Sequence, residues 1–357
     1  MLAELVAALT LVALIAYAVL AGADFGGGVW DALARGPRRD AQREAIAHAM
    51  GPVWEANHVW LIFVIVLLFT AFPTAFAALS VALFLPFHLV LLGIILRGAA
   101  FVFRAYSSPS GRSGAEALRW GAVFGGASVI TPVLLGMCLG AVSAGGVRVT
   151  NGQVIVEGVP PWLDPLSLAI GIFALAICAY LAAVYLANET EGELREAFRR
   201  RALAAGTAVV ALSVLLLPLL RTRGSHLWEG LTSARAAPVL AAGVAAALLS
   251  GWALWKERLR LARTATVVQT ACLLAGWGIA QHPYLIYPDV TIHGAAAGDS
   301  TLRFVLWSTP FGMAILLPSL WFLFRVFKGP HLALVDTNAA RERTESAASP
   351  PDDDSAR

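Results

Sequence analysis

Three ionisable side chains, Asp24, Glu55 and Arg97, lie in or at the ends of long apolar runs. Charge is costly at membrane depth, and a functional role is the default expectation for such residues. Counted from Glu4 at the helical rise, Asp24 lies about 30 Å along the first run, near the boundary rather than the midplane. Glu55 opens the second run and Arg97 comes near the end of the third, so all three converge at the same ends of successive antiparallel helices. Two acids facing one base admit two chemistries. Arg97 can neutralise a carboxylate and fix helix register as a salt bridge. Alternatively, a carboxylate left uncompensated and drawn out of water holds a proton more readily, which suits a proton relay.

The neighbouring residues narrow the choices. Gly26, Gly27 and Gly28 follow Asp24 closely, and small residues let membrane helices approach one another. A phosphate cradle would need a preceding strand and different spacing. Trp54 and Trp60 flank Glu55, as interfacial aromatic belts do without any further role. Of seven histidines, His58 and His88 lie in or beside apolar runs, and no pairing marks a haem-ligand set. Cys138, Cys178 and Cys272 form neither a disulfide framework nor a C-x-x-C metal pattern; they read as small buried hydrophobes. No metal site is expected, and nothing points to nucleic acid.

These residues must be positioned by membrane helices. The chain is 58% apolar and 14% charged, against about 25% charged for soluble domains. A span of the hydrocarbon core needs about 20 apolar residues, and such runs recur. A soluble core could not hide them all. Leu5–Leu20 lacks the basic start and the cleavage site of a secretory signal and reads as a retained helix. The expected helices are 3–34, 50–72, 75–105, 116–143, 163–187, 199–220, 236–256, 263–281 and 303–327, with Pro73 as a tight joint. The expected fold is thus an all-α integral membrane protein of about nine transmembrane helices, with a polytopic domain over 1–335 and a disordered polar tail over 336–357.

Basic residues orient the chain. One side collects Arg35–Arg43, Arg104–Arg119, Arg195–Arg201, Lys256–Arg263 and the basic residues from Arg325 onward, 20 of the 26 Lys plus Arg. The alternation predicts the N-terminus outside and the C-terminus in the cytoplasm; the 221–235 loop, with three arginines, breaks the rule. Outside, V-R-V-T-N-G-Q-V-I-V at 147–156 predicts a β-hairpin turning at Asn151-Gly152, with a type I′ turn. The loop from His282 to Leu302 carries prolines, Asp289, His293 and Asp299.

The segment G-P-V-W-E-A-N-H-V-W-L, residues 51–61, resembles the subunit II signature of cytochrome bd-type quinol oxidases. A-G-A-D-F-G-G-G at 21–28, F-T-A-F-P at 69–73 and R-G-A-A-F-V-F-R at 97–104 resemble the family's first, second and third helices. A-A-A-G-D-S-T-L-R at 295–303 and P-S-L-W-F-L-F-R-V-F-K at 318–328 are similar to its last loop and helix. The resemblance implies a bacterial inner-membrane complex that oxidises quinol and reduces dioxygen to water. It implies two four-helix bundles and a peripheral helix in this chain, paired with a haem-bearing subunit I that holds haems b and d. No cofactor is expected on this chain, which would contribute proton and oxygen access. Quinone as substrate, small accessory subunits and membrane lipid follow as further partners. By motif, Asp24 and Glu55 would be proton-route acids, Asn57 their polar neighbour, Trp60 a packing or channel-lining aromatic, and Arg97 a structural charge partner. The family has Asp at Glu55, Gly at Ala56, Glu or Gln at His58, and commonly an acid at Ala21.

Two other readings compete. A secondary transporter would favour helices broken at the midplane and an internal repeat, and neither is evident here. A non-catalytic membrane scaffold would use Asp24, Glu55 and Arg97 only as a clamp.

Overall fold

The computed structural model describes residues 1–107, 114–150, 152–155 and 158–327, with the side chains of 50–56, 104–107, 114–118, 324, 326 and 327 left aside. The Glu55 side chain, Asn151 and the tail at 336–357 therefore lie outside the described residues. The helices are α1 (Leu2–Ala32), α2 (Arg39–Ala71), α3 (Pro73–Ala82), α4 (Phe84–Ser107), α5 (Gly114–Ser143), α6 (Pro165–Glu189), α7 (Gly192–Arg223), α8 (Ser225–Leu231), α9 (Ala237–Trp255), α10 (Leu259–Gln281), α11 (Ile292–Ala295) and α12 (Asp299–Phe327). Two short hairpins, β1 (Arg148–Thr150) with β2 (Gln153–Ile155) and β3 (Tyr284–Ile286) with β4 (Val290–Thr291), complete the described elements.

Seven described helices are long and apolar enough to cross a membrane, or up to eight if one bent pair counts as a single span; nine were expected. The expected 263–281 span is α10, which carries Thr266, Gln269, Thr270 and Gln281 but buries all four against other helices. Its polarity faces protein, so apolarity alone does not mark it. The expected 75–105 helix is two helices. Pro86 has no N–H to donate to the Ala82 carbonyl, so a continuous helix loses that bond, and the chain breaks at Leu83 between α3 and α4. Pro73 opens α3 at a position where its missing N–H costs nothing. There the axis of Asn57–Ala71 turns by 118° into Pro73–Ala82.

Helices α1, α2, α4 and α5 pack as one group, and α6, α7, α9 and α10 as a second, joined where α6 lies against α1 and α5. Beyond Leu306, residues from Trp307 form a separate compact unit.

Three of the segments assigned to one side by their arginines, 35–43, 195–201 and 256–263, are tied together by contacts around α7. Arg38 pairs with Glu193, Arg43 lies 3.8 Å from Asp31 and Arg263 lies 3.3 Å from Glu189. On the opposite face Arg223 reaches Asp164 at 3.0 Å, so one of the three rule-breaking arginines is matched by an acid. The hairpin expected at 147–156 forms with Thr150 opposite Gln153, leaving a two-residue turn in which Gly152 takes φ +76°, a conformation glycine adopts at no steric cost. The 282–302 segment folds onto this face through β3, β4 and α11. Ile286, Val290, Ile292 and Ala295 join Val6, Phe72 and Val147 in one buried apolar cluster.

Candidate functional site

Four helices of the first group each deliver one polar side chain to a single buried point: Asp24 from α1, Asn57 from α2, Arg97 from α4 and Ser128 from α5. Their exposures are 1, 2, 3 and 0%. Arg97 grips Asp24 as a fork, Nη1 donating to Oδ2 at 2.5 Å and Nη2 to Oδ1 at 2.6 Å. Nη2 also donates to the Asp24 carbonyl at 2.8 Å, and Nε donates to Ser128 Oγ at 2.9 Å. Asn57 Nδ2 gives Asp24 Oδ2 a further hydrogen bond at 2.9 Å. The guanidinium lies 5.1 Å from the centre of the Phe25 ring and 4.8 Å from that of Phe124. A bidentate, fully hydrogen-bonded pair of this kind is what offsets the cost of burying both charges.

The local sequence explains the convergence. A Cβ on Gly26 would run into the Cys178 carbonyl, and one on Gly28 into the Ser128 hydroxyl. The glycines after Asp24 thus bring α6 and α5 against α1. Ser128 Oγ donates to the Phe124 carbonyl one turn back at 2.7 Å, which leaves its lone pairs for Arg97 Nε. Close packing was the plainer sequence reading of these glycines, and it holds.

Beside the quartet is a cavity lined by Tyr17, Asp24, Phe25, Asn57, His58, Ile94 and Arg97, with room for about one water molecule. A porphyrin does not fit there, and among the described residues no three His, Cys, Asp or Glu side chains converge as a metal site. Trp60 packs against the buried cluster formed by Tyr17, Ala21, Phe25 and Cys178, and meets Phe63 edge-to-face at 6.5 Å. Ala21, where the family commonly has an acid, is 3% exposed in that same apolar cluster. A carboxylate there would have apolar neighbours on this side.

The structure brings together Asp24, Asn57 and Arg97 of the residues expected from sequence, with Trp60 one packing layer away. Glu55 lies on α2 two residues before Asn57, and its side chain is outside the described residues. Asp24, expected near the boundary rather than the midplane, is enclosed by protein. Ser128, Tyr17 and the two flanking phenylalanines were missed. Phe25 was signalled by adjacency to Asp24; a lone serine on α5 gives no such sign.

A second buried polar cluster lies in the other helix group and is neutral. Tyr180 OH meets Ser250 Oγ at 2.7 Å, Ser250 Oγ meets Thr266 Oγ1 at 2.7 Å, and Thr266 donates to the Ala262 carbonyl at 2.9 Å.

Comparison with known proteins gives one direction. The family model described as cytochrome bd terminal oxidase subunit II matches residues 2–327. A Bacillus subtilis protein named putative cytochrome bd menaquinol oxidase subunit II is 25% identical over 324 residues, 87% of this chain and 91% of that one. The Escherichia coli cytochrome bd-I ubiquinol oxidase subunit 2 is 27% identical over 217 residues, covering 56% of this chain and 52% of its own. The solved bd oxidase from Geobacillus thermodenitrificans superposes with a TM-score of 0.77 at 22% identity, over 91% of this chain and 98% of the matched one; this establishes a shared fold.

Proposed function

Because the chain belongs to the cytochrome bd terminal oxidase subunit II family, we propose that its buried Asp24–Arg97–Asn57 site forms part of a proton inlet to the oxidase. The chain is a multi-pass membrane protein and the second subunit of a quinol:oxygen oxidoreductase. The transporter and scaffold readings find no support among its relatives. Its partner is a haem-bearing subunit I, in which haems b and d supply the electron transfer and oxygen chemistry, with quinol as reductant. The complex sits in the bacterial inner membrane, with this chain's N-terminus outside and its C-terminus in the cytoplasm. Residues 1–335 form the membrane domain and 336–357 a disordered tail; small accessory subunits complete the assembly.

The observation that carries the inlet is the single-water cavity bounded by Asp24, Asn57, His58 and Tyr17. Arg97 binds both oxygens of Asp24, and this pairing fixes where Asn57 presents its amide. Glu55 and His58, three residues apart on α2, share one helix face. Glu55 takes up the proton from the arginine-rich side, and a water in the cavity hands it on by way of His58, while Asp24, its charge matched by Arg97, fixes the polar wall of the cavity through Asn57. Trp60 holds the apolar wall beside this route.

The test is Glu55→Gln in the two-subunit complex, read as quinol-driven oxygen uptake. Turnover should fall by at least about tenfold, as expected when a positioned proton carrier is removed, with yield of intact complex unchanged. Undiminished turnover removes Glu55 from the mechanism.

A further inference from the structure

Asp31 is a buried acid outside the Asp24–Arg97 quartet. It is 1% exposed and lies in the last turn of α1, four residues before Arg35 opens the arginine-rich face. Arg43 on α2 stands over it, with Nε 3.8 Å from Oδ1 and donating to the Asp31 carbonyl at 3.4 Å. At 3.8 Å the contact with the carboxylate is longer than a hydrogen bond, unlike the fork on Asp24. Arg43 is itself 17% exposed, so the pair reaches the surface through its cation. A carboxylate at this point is costly to the fold. Burial takes it out of water, and the last turn of a helix presents the negative end of the dipole. The fold gains little from an acid here, so its place on the helix has to account for it.

Tyr17, Asp24 and Asp31 recur at i, i+7 and i+14, one stripe of α1, with exposures of 6, 1 and 1%. Tyr17 and Asp24 line the single-water cavity. Asp31 lies two turns from Asp24, about 10.5 Å toward the arginine-rich side. Between the two acids the stripe passes Gly27 and Gly28, neither of which brings a side chain, and the Ser128 hydroxyl packs at Gly28. No apolar side chain of α1 therefore stands on the line from Asp31 to the cavity. The bond from Asn57 to Asp24 sets the register of α1 against α2, which puts position 55 of α2 level with residue 26. Asp31 is five residues, about 7.5 Å, nearer the arginine-rich end than that level.

We propose that Asp31 is the entry carboxylate of the proton inlet. It takes a proton from water at the arginine-rich face, passes it through water to Glu55, and returns to the anion that Arg43 balances. The proposal rests on the inlet reading and adds to it the group nearest the surface.

The experiment compares Asp31→Asn, Asp31→Glu, Asp31→Asn combined with Arg43→Gln, and Glu55→Gln in the two-subunit complex. The readout is quinol-driven oxygen uptake per assembled, haem-containing complex. Asp31→Asn should lower turnover at least about tenfold, and Asp31→Glu, which keeps the acid, should restore roughly half of it or more. The combined variant removes the arginine charge that Asp31→Asn leaves over, so it should assemble fully and stay as slow; it carries the test if Asp31→Asn alone fails to assemble. Wild-type turnover in the combined variant overturns the proposal, because Asp31 and Arg43 then only clamp α1 to α2. So does an Asp31→Glu complex as slow as Asp31→Asn. Wild-type turnover in Asp31→Asn beside a slow Glu55→Gln overturns the entry role and leaves the inlet standing. Wild-type turnover in both removes inlet and entry together. A slow Asp31→Asn beside an undiminished Glu55→Gln keeps Asp31 as the entry and moves the next step away from Glu55.

Discussion

Arg97 and Arg148 make the same fork in two different solvents. Arg97 grips Asp24 with two nitrogens, and Asn57 adds a third hydrogen bond to the carboxylate. Arg148 holds Asp289 through Nε at 2.8 Å and Nη2 at 3.2 Å, and the Val149 backbone N–H adds a third at 2.8 Å. The side chains of the first pair are 3 and 1% exposed, those of the second 55 and 19%. Geometry being nearly equal, the environment decides the energetics. Water and ions screen the outer pair, so it contributes little. The inner pair gains no net stability that an apolar replacement would lack, yet removing one member strands the other charge. The inner fork therefore acts as a constraint: it commits α1, α2, α4 and α5 to one register, while the outer fork trims a surface.

The sharpest way to break this contrast is to delete the two arginines separately. Arg97→Ala leaves Asp24 buried without its cation and should destabilise the protein by about 3–5 kcal/mol, read as loss of intact complex in membranes. Normal yields and an unchanged melting temperature would show that the inner pair is no more committed than the outer one.

The neutral Tyr180–Ser250–Thr266 chain lies between these extremes. Tyr180 and Ser250 share one hydrogen bond, Ser250 and Thr266 share the next, and both Ser250 and Thr266 reach the Ala262 carbonyl. The chain ends on a backbone oxygen that cannot pass a proton on, so it joins α6, α9 and α10 without forming a relay. Ser250→Ala removes the middle hydroxyl from a site with 0% exposure. It should cost about 1 kcal/mol, since hydrogen bonds within membranes are worth little more than in water. Thermal melting of the complex checks this, and a loss as large as that of Arg97→Ala would mean that burial, rather than charge, sets the penalty.

What was legible in the sequence divides along the same line. Asp24 and Arg97 stood out because a charge in an apolar run has to find a partner, and both were expected at the same ends of successive helices, where the structure pairs them. The hairpin at 148–155 was legible because glycine at a two-residue turn is a local signal. The break at Leu83 also had a local cause, Pro86, whose effect falls four residues upstream and escapes a reading based on apolar length. Ser128, Ser250 and Thr266 were not legible, because a hydroxyl in a helix ordinarily bonds its own preceding turn and only the packed structure shows which ones also reach across. The fold of 282–302 depends on non-local contacts, such as Tyr287 N–H to the Val142 carbonyl at 3.1 Å and Ala297 N–H to that of Ala71 at 2.8 Å. No spacing rule predicts these.

The smallest expected effect belongs to the outer fork, and it depends on pH. The hydrogen bond from Arg148 holds the Asp289 carboxyl below its usual range, against a weaker opposing push from partial burial, and the Val149 N–H adds to the lowering. A carboxyl that is more acidic in the folded state contributes stability above its unfolded pKa, near 3.9, and that contribution is lost as pH falls through the lower folded value. The window is therefore acidic and lies below about pH 4. Because Arg148 is more than half exposed, the loss should be a few tenths of a kcal/mol. Asp289→Asn should remove this acid dependence while leaving neutral-pH stability almost unchanged. The reporter is hydrogen exchange at the Val149 amide, which donates to Asp289. Its protection, corrected for the intrinsic exchange rate, should drop on acidification in the wild type and stay flat in the variant. An acid response of equal size in both would assign the sensitivity to another group and leave the outer fork with no measurable role, which would widen the contrast with Arg97 and Asp24.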